Sequence, residues 1–356
     1  MEHIKYMPVF RARQQEIIVL KETQFGNKII PLIEIIKEKD RKNNQLSSFE
    51  IYSDLVNSIQ ASNVFVDLPV YIQLSNSSNA EVVVFSRNII ENLQARIDFL
   101  SQFAKITKFV PVISGLLHKT GEFNTIRKQF NELKDIFPVI AFRTYHNTIE
   151  QEESEIIECL RPEKDILIYD IDNISITSPV FRMQRSIINN INAYKKVFVR
   201  SAIGNEIQNT KLEHERIVAE ADNSLIEMYD RYNFEAFGDY VGIKKDLLTS
   251  GGTISPGLIF YDPTLNLYYG YKGTIKRLEE FKDTIVPAVL RSNYITNLET
   301  NFQQYITNNK GVETMKLINL GHESGKSQAK FKKIAMTHYL HCMKTSIEDG
   351  TQLPLS

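Results

Sequence analysis

Ile166-Leu167-Ile168-Tyr169-Asp170 is a short run of strand-forming residues that stops on a carboxylate, and its reading decides the fold because the chain repeats it. Upstream the form recurs as Ile29-Ile30-Pro31-Leu32-Ile33-Glu34, Val64-Phe65-Val66-Asp67, Phe109-Val110-Pro111-Val112-Ile113-Ser114 and Val139-Ile140-Ala141-Phe142-Arg143. Downstream it recurs as Val197-Phe198-Val199-Arg200, a weaker Tyr240-Val241-Gly242-Ile243-Lys244, and Leu258-Ile259-Phe260-Tyr261-Asp262. Most gaps hold one amphipathic stretch of helix length. Strands alternating with helices belong to a parallel sheet, and eight rounds predict a closed (β/α)8 TIM-barrel-like fold of the α/β class. Barrels gather their sites at the carboxyl ends of the strands, where these polar residues stand.

The 356 residues suit one barrel of about 250 residues plus an addition. Residues 1–273 are expected as the barrel-like domain and 274–356 as a helical C-terminal appendage packed on it. The segment from Tyr6 to Glu16 leads into a helix over 13–24, which Gly26 ends before the first barrel strand. Further helices are expected over 49–61, 122–136, 149–160, 179–194 and 211–229, with Ser48 as one N-cap and Ser178-Pro179 starting another. The polar stretches Lys37–Ser48 and Leu74–Ala80 read as loops over the mouth. Leu258–Tyr261 and Leu267–Tyr271, joined through Asp262-Pro263, look like a hairpin. Helices over 275–307 and 326–346 complete the chain.

Forty-two Lys and Arg against 43 Asp and Glu leave a net charge of -1, which argues against a protein that coats nucleic acid by charge alone. The two cysteines, Cys159 and Cys342, lie far apart and read as reduced thiols, and no Cys/His cluster of zinc type occurs. Without an apolar leader near Met1 or a stretch of about 20 apolar residues, the chain is expected in the cytoplasm.

The opening Tyr6-Met7-Pro8-Val9-Phe10-Arg11-Ala12-Arg13-Gln14-Gln15-Glu16, followed by Ile30-Pro31-Leu32-Ile33-Glu34, resembles the start of the beta protein family, a poorly characterised prokaryotic and phage group. Phe237-Gly238-Asp239-Tyr240, with Gly251 and Pro256 after it, looks like that family's second block. Phe331-Lys332-Lys333-Ile334 through Thr337-His338-Tyr339-Leu340-His341 looks like the third, though this chain lacks the tryptophan that block often carries. The resemblance implies a role near antiviral defence genes and a protein partner from such a system. It assigns no reaction and no catalytic residue.

Glu34, Asp67, Asp170 and Asp172 stand at or just beyond expected strand ends and form the candidate catalytic set. Arg143, Arg200 and Lys244 occupy equivalent basic positions and, with Asp239, form the candidate substrate-binding set. Carboxylates facing cations in one cleft can hold a divalent metal and a phosphate together, as phosphodiester-cleaving hydrolases do, or serve as an acid/base pair. The alternative is structural, because charged pairs in the upper layer of a barrel satisfy one another.

Other motifs are weaker. Gly321-His322-Glu323-Ser324-Gly325-Lys326-Ser327 has only three residues between its glycines where a P-loop needs four, although Met315–Asn319 before it reads as a short strand. His338 and His341 read as a partly exposed helix face, on a helix made basic by Lys326, Lys330, Lys332, Lys333 and Lys344. Gly251-Gly252 reads as a turn that could also offer amides to a phosphate. Two functions stay open: a defence component whose barrel mouth handles a phosphate-bearing ligand, nucleotide or nucleic acid, and a non-catalytic module that binds a phage component or a partner effector.

Overall fold

The computed structural model describes residues 1–38, 46–76, 78–218, 225–245 and 255–348. Eight parallel strands close into a barrel: β1 (Tyr6–Arg11), β2 (Leu32–Glu34), β3 (Val64–Asp67), β4 (Phe109–Ile113), β5 (Ala141–Tyr145), β6 (Ile166–Asp170), β7 (Lys195–Val199) and, after the short β8 (Arg216–Ile217), β9 (Ala236–Asp239), which returns to β1. The strands read as unbroken apolar runs because both faces are covered. Residues two apart share a face. Met7, Val9, Leu32, Phe65, Val110 and Val112 face the interior with their counterparts on β5, β6, β7 and β9. Tyr6, Phe10, Ile33, Phe142, Tyr169 and Phe198 face outward into the main hydrophobic core. In this phase Arg11, Glu34, Asp67, Arg143 and Asp170 all turn inward at the carboxyl ends.

The expected number of strands is present, but its membership shifts by one. Tyr6–Arg11, read as a lead-in to a helix, is the first barrel strand, and it pairs with β2 through Val9↔Leu32 and with β9 through Met7↔Gly238. The seventh expected strand, 240–244, lies instead at Ala236–Asp239 and is the last of the barrel. Leu258–Asp262 is outside the barrel: β10 (Gly257–Asp262) pairs antiparallel with β11 (Leu267–Lys272), as the hairpin reading expected, and β8 adds to β11. Pro8 sits opposite Asp239 and removes one ladder donor, which hides β1 from a pattern search.

Most helices lie where expected. Gln14–Glu22, Thr125–Leu133, Ile149–Cys159 and Pro179–Asn190 are helical, the last capped by Ser178 with proline in its first turn. Ser47, rather than Ser48, caps Ser48–Ser58 in a reciprocal box with Glu50. The helix expected over 211–229 is absent among the described residues of that stretch, which hold β8 and only the short Leu225–Met228. Met315–Asn319 belongs to the helix Lys310–Asn319, so the strand a P-loop requires is missing there. Gly251-Gly252 and most of the Lys37–Ser48 loop lie outside the described residues.

The C-terminal helix, Gln328–Glu348, packs along the β10–β11 hairpin and the barrel wall. Phe260 stacks on His338 with ring centroids 4.1 Å apart, and Phe281 stacks on Phe331 at 4.3 Å. His338 is sealed between Asn309 and the Tyr261 carbonyl, so it is not on an exposed face, and burial holds its pKa at about 3. Among the described residues no helix is long and apolar enough to cross a membrane.

Candidate functional site

Parallel register sets the inward residues of neighbouring strands side by side, Arg11 against Glu34 and Glu34 against Asp67. Arg143 rises from β5 into their midst. Its Nη1 donates to Glu34 Oε1 at 2.8 Å and to Asp67 Oδ2 at 2.7 Å, and its Nη2 donates to Asp170 Oδ2 at 2.5 Å and to the Tyr240 hydroxyl at 2.9 Å. Tyr240 and Tyr71 donate in turn to the two Glu34 oxygens, at 3.0 and 2.7 Å. Arg11 Nε lies 3.4 Å from Glu34, and Arg96, reaching in from the helix Leu93–Ser101, lies 3.5 Å from Asp67. Lys245 Nζ closes the group, 3.5 Å from Asp170 and 3.1 Å from Asp172. Arg11, Arg96, Arg143 and Lys245 thus face Glu34, Asp67, Asp170 and Asp172, four charges of each sign.

Glu34, Asp67, Arg143 and Asp170 have fully buried side chains. Burial alone pushes Glu34 and Asp170 up, but Arg143 with Arg11 outweighs it at Glu34 and Lys245 with Arg143 outweighs it at Asp170, so both carboxyls lie below their ordinary range. At Asp67 burial prevails over Arg143 and Arg96, and its pKa is raised. Removing one member of such a group strands buried charge, which typically costs about 3–5 kcal/mol.

Above this layer opens a pocket of about 470 Å³. Tyr71, Tyr145 and Lys245 form its floor, and the Lys245 ammonium sits 3.7 Å from the centre of the Tyr71 ring. The walls come from the segments after the strands: His118 and Lys119 follow β4, His146 follows β5, Asp172 follows β6 and Lys244 follows β9. β4 and β9 are the fourth and last strands around the ring, so Lys119 and Lys244 enter from opposite sides. Lys119 Nζ donates to the Ile72 carbonyl at 2.6 Å and Lys244 Nζ to the Ile207 carbonyl at 2.9 Å. A carbonyl fixes an ammonium in place without cancelling its charge.

Burial lowers the pKa of Lys119, His118 and His146. Lys119 adds to the effect at His118, while Asp170 and Asp172 partly offset it at His146, so both imidazoles are neutral near pH 7. His146 Nδ1 is buried without a hydrogen bond to a described residue. Asp172, at φ 55°, is the one carboxylate among the described residues that line the pocket, and its Oδ1 already faces Lys245. Lys119 and Lys244 thus line the pocket without an ion pair to any described carboxylate, and Glu91 acts on Lys119 only from a distance.

Of the eight residues read from the sequence, Glu34, Asp67, Arg143 and Asp170 meet in the sealed layer, and Asp172 and Lys244 line the pocket. Arg200 is buried beyond β7, where its Nε donates to the Ile174 carbonyl at 3.1 Å. Asp239 turns outward, away from the mouth, and accepts from Tyr6 Oη at 2.7 Å, from the Val241 amide at 2.8 Å and from the Tyr339 hydroxyl. Burial raises Asp239 to about 6. Sequence reasoning passed over Arg11, Arg96, His118, Lys119, His146 and Lys245. Arg11 ends the unrecognised β1 in the inward phase, and Lys245 adjoins Lys244; Arg96 carries no local signal.

The divalent metal considered from the sequence finds no ready site. Among the described residues no cluster of three or more His, Cys, Asp or Glu side chains is placed to hold an ion, and the strand-end carboxylates are engaged by guanidinium and ammonium groups.

The family model described as Beta protein matches residues 6–344, nearly the whole chain. No curated protein matches it.

Proposed function

We propose that this chain, which belongs to the beta protein family, recognises a phosphate-bearing ligand in the pocket at the carboxyl end of its barrel and does so as a component of a prokaryotic antiviral defence system. One observation carries the ligand reading: Lys119 and Lys244 enter from opposite sides, each tethered by a backbone carbonyl and by no described carboxylate. Two ammoniums that no described carboxylate ion-pairs suit a phosphate dianion, and the neutral imidazole of His146 beside them can donate a further hydrogen bond to its oxygens. Fully buried carboxylates tied to Arg143 favour a supporting role for that layer, and recognition over hydrolysis for the site. The defence setting rests on the family resemblance alone.

Calorimetric titration of the full-length chain with inorganic pyrophosphate tests the pocket. Lys119→Ala and Lys244→Ala are each expected to weaken binding by roughly tenfold or more, the loss typical of one charged hydrogen bond. Retained affinity in both variants would remove the pocket from the account. Phage plating on cells that carry the intact system with either variant tests the setting: protection should fall with affinity.

A further inference from the structure

Seven consecutive residues, Asp239 to Lys245, tie the barrel's last strand to three different parts of the molecule. Asp239 is held from the C-terminal helix by the Tyr339 hydroxyl and from β1 by Tyr6. Tyr240 turns inward, accepting from Arg143 and donating to Glu34. Val241 and Gly242 are both left-handed, at φ 55° and 66°, and swing the chain from the wall to the mouth. Lys244 and Lys245 then line the pocket.

A β-branched residue in the left-handed region is strained and persists only where its surroundings over-determine it. Here the surroundings come largely from Tyr339. A Cβ on Gly242 would lie 2.7 Å from Cγ of that ring, so the backbone is pressed against it, while the hydroxyl of the same side chain grips Asp239 three residues earlier. One tyrosine thus holds the chain on both sides of the strained Val241.

We infer that the C-terminal helix positions the pocket's Lys244 and Lys245 through this strap, with Tyr339 as the positioning residue. The inference rests on the reading of the pocket as a phosphate site and adds what regulates it. Loosening Tyr339 lets Val241 relax, which redirects Lys244 away from the Ile207 carbonyl and Lys245 away from Asp170 and Asp172. Lys119, on the opposite wall, is untouched.

Two readouts on the full-length chain separate this inference from the pocket reading. The first is pyrophosphate affinity; the second is amine labelling of Lys244 and Lys245 relative to Lys119, read by mass spectrometry without ligand. Tyr339→Phe keeps the ring and removes the hydroxyl, and it should weaken pyrophosphate about fivefold to tenfold, the usual scale of coupling between sites. It should also raise labelling of Lys245 severalfold relative to Lys119. Ser346→Ala, which removes the Tyr305 contact lower on the same helix, should move neither. Equal effects from both variants would mean that the helix matters only for general stability and would overturn the inference. So would unchanged labelling and affinity in Tyr339→Phe, even where Lys244→Ala abolishes binding and the pocket stands. If the unaltered chain fails to bind pyrophosphate, the pocket reading falls, and labelling alone decides the strap.

Discussion

At the scale of single residues, the molecule buries charge freely, and the outcome depends on what each charge meets. Arg143 satisfies three carboxylates at once, and Glu34 and Asp170 stay ionised because of it and its neighbours. Glu152 is the contrary case. It is buried on the helix Ile149–Cys159, accepts from Thr144 Oγ1 at 2.6 Å and meets no described cation, so burial lifts its pKa to about 7. Its folded pKa lies above the unfolded value of about 4.3, so the native state holds the proton more tightly. That contribution to stability is complete below about pH 4 and is lost as pH rises through 7. Glu152→Gln, which mimics the protonated form, should gain up to about 3 kcal/mol over the unaltered chain at pH 8 and little at pH 4. Urea denaturation across that range measures the difference. A constant offset between the two curves would show that Glu152 has the same pKa in the folded and unfolded chain.

At the scale of elements, the barrel was legible wherever an apolar run ended on an inward polar residue, and obscure at its seam. Val64–Asp67 and Ile166–Asp170 were readable because a buried parallel strand is apolar on both faces and only its mouth residue can be charged. Ala236–Asp239 is short and contains glycine, whereas Gly257–Asp262 is the stronger β-former. The stronger run was claimed by a local partner: Leu267–Lys272 follows a brief turn and pairs with it antiparallel, which leaves the weaker run to close the ring. Lys119 was hidden for a different reason, since it lies in the four-residue helix Leu117–Thr120, too short to show a period. Gly238 explains how the weak strand suffices. A Cβ there would fall 2.6 Å from the Met7 carbonyl oxygen, so β9 and β1 approach as only glycine allows. Gly238→Ala should therefore destabilise the fold by about 2 kcal/mol, as overpacking of a tight contact does, and a chemical denaturation midpoint reads it directly. An unshifted midpoint would mean that the seam absorbs a methyl group.

At the scale of the whole molecule, the stretches that marked the family resemblance come together in space. The opening stretch forms β1 and leads to β2, Phe237-Gly238-Asp239-Tyr240 spans the end of β9, and the late stretch carries Tyr339 onto Asp239. None of this convergence could be read from spacing, because it exists only once the ring has closed and the C-terminal helix has docked. It makes the seam, rather than the mouth alone, the place where the two ends of the chain act on one another. Coupling between sites is reciprocal: if Tyr339 holds Lys244 and Lys245 for a ligand, a ligand on those lysines must steady Tyr339 and its helix by the same free energy. Hydrogen exchange detects such steadying through less frequent local opening. Saturating pyrophosphate should slow amide exchange in Val241–Lys245 and around Tyr339 by about fivefold to tenfold, matching the affinity lost in Tyr339→Phe. The helix Pro179–Asn190, which packs outside β6 and β7 through Phe181, should be unchanged. Slowing spread evenly over both helices would signify global stabilisation by ligand, and slowing confined to the mouth would leave the C-terminal helix without a part in binding.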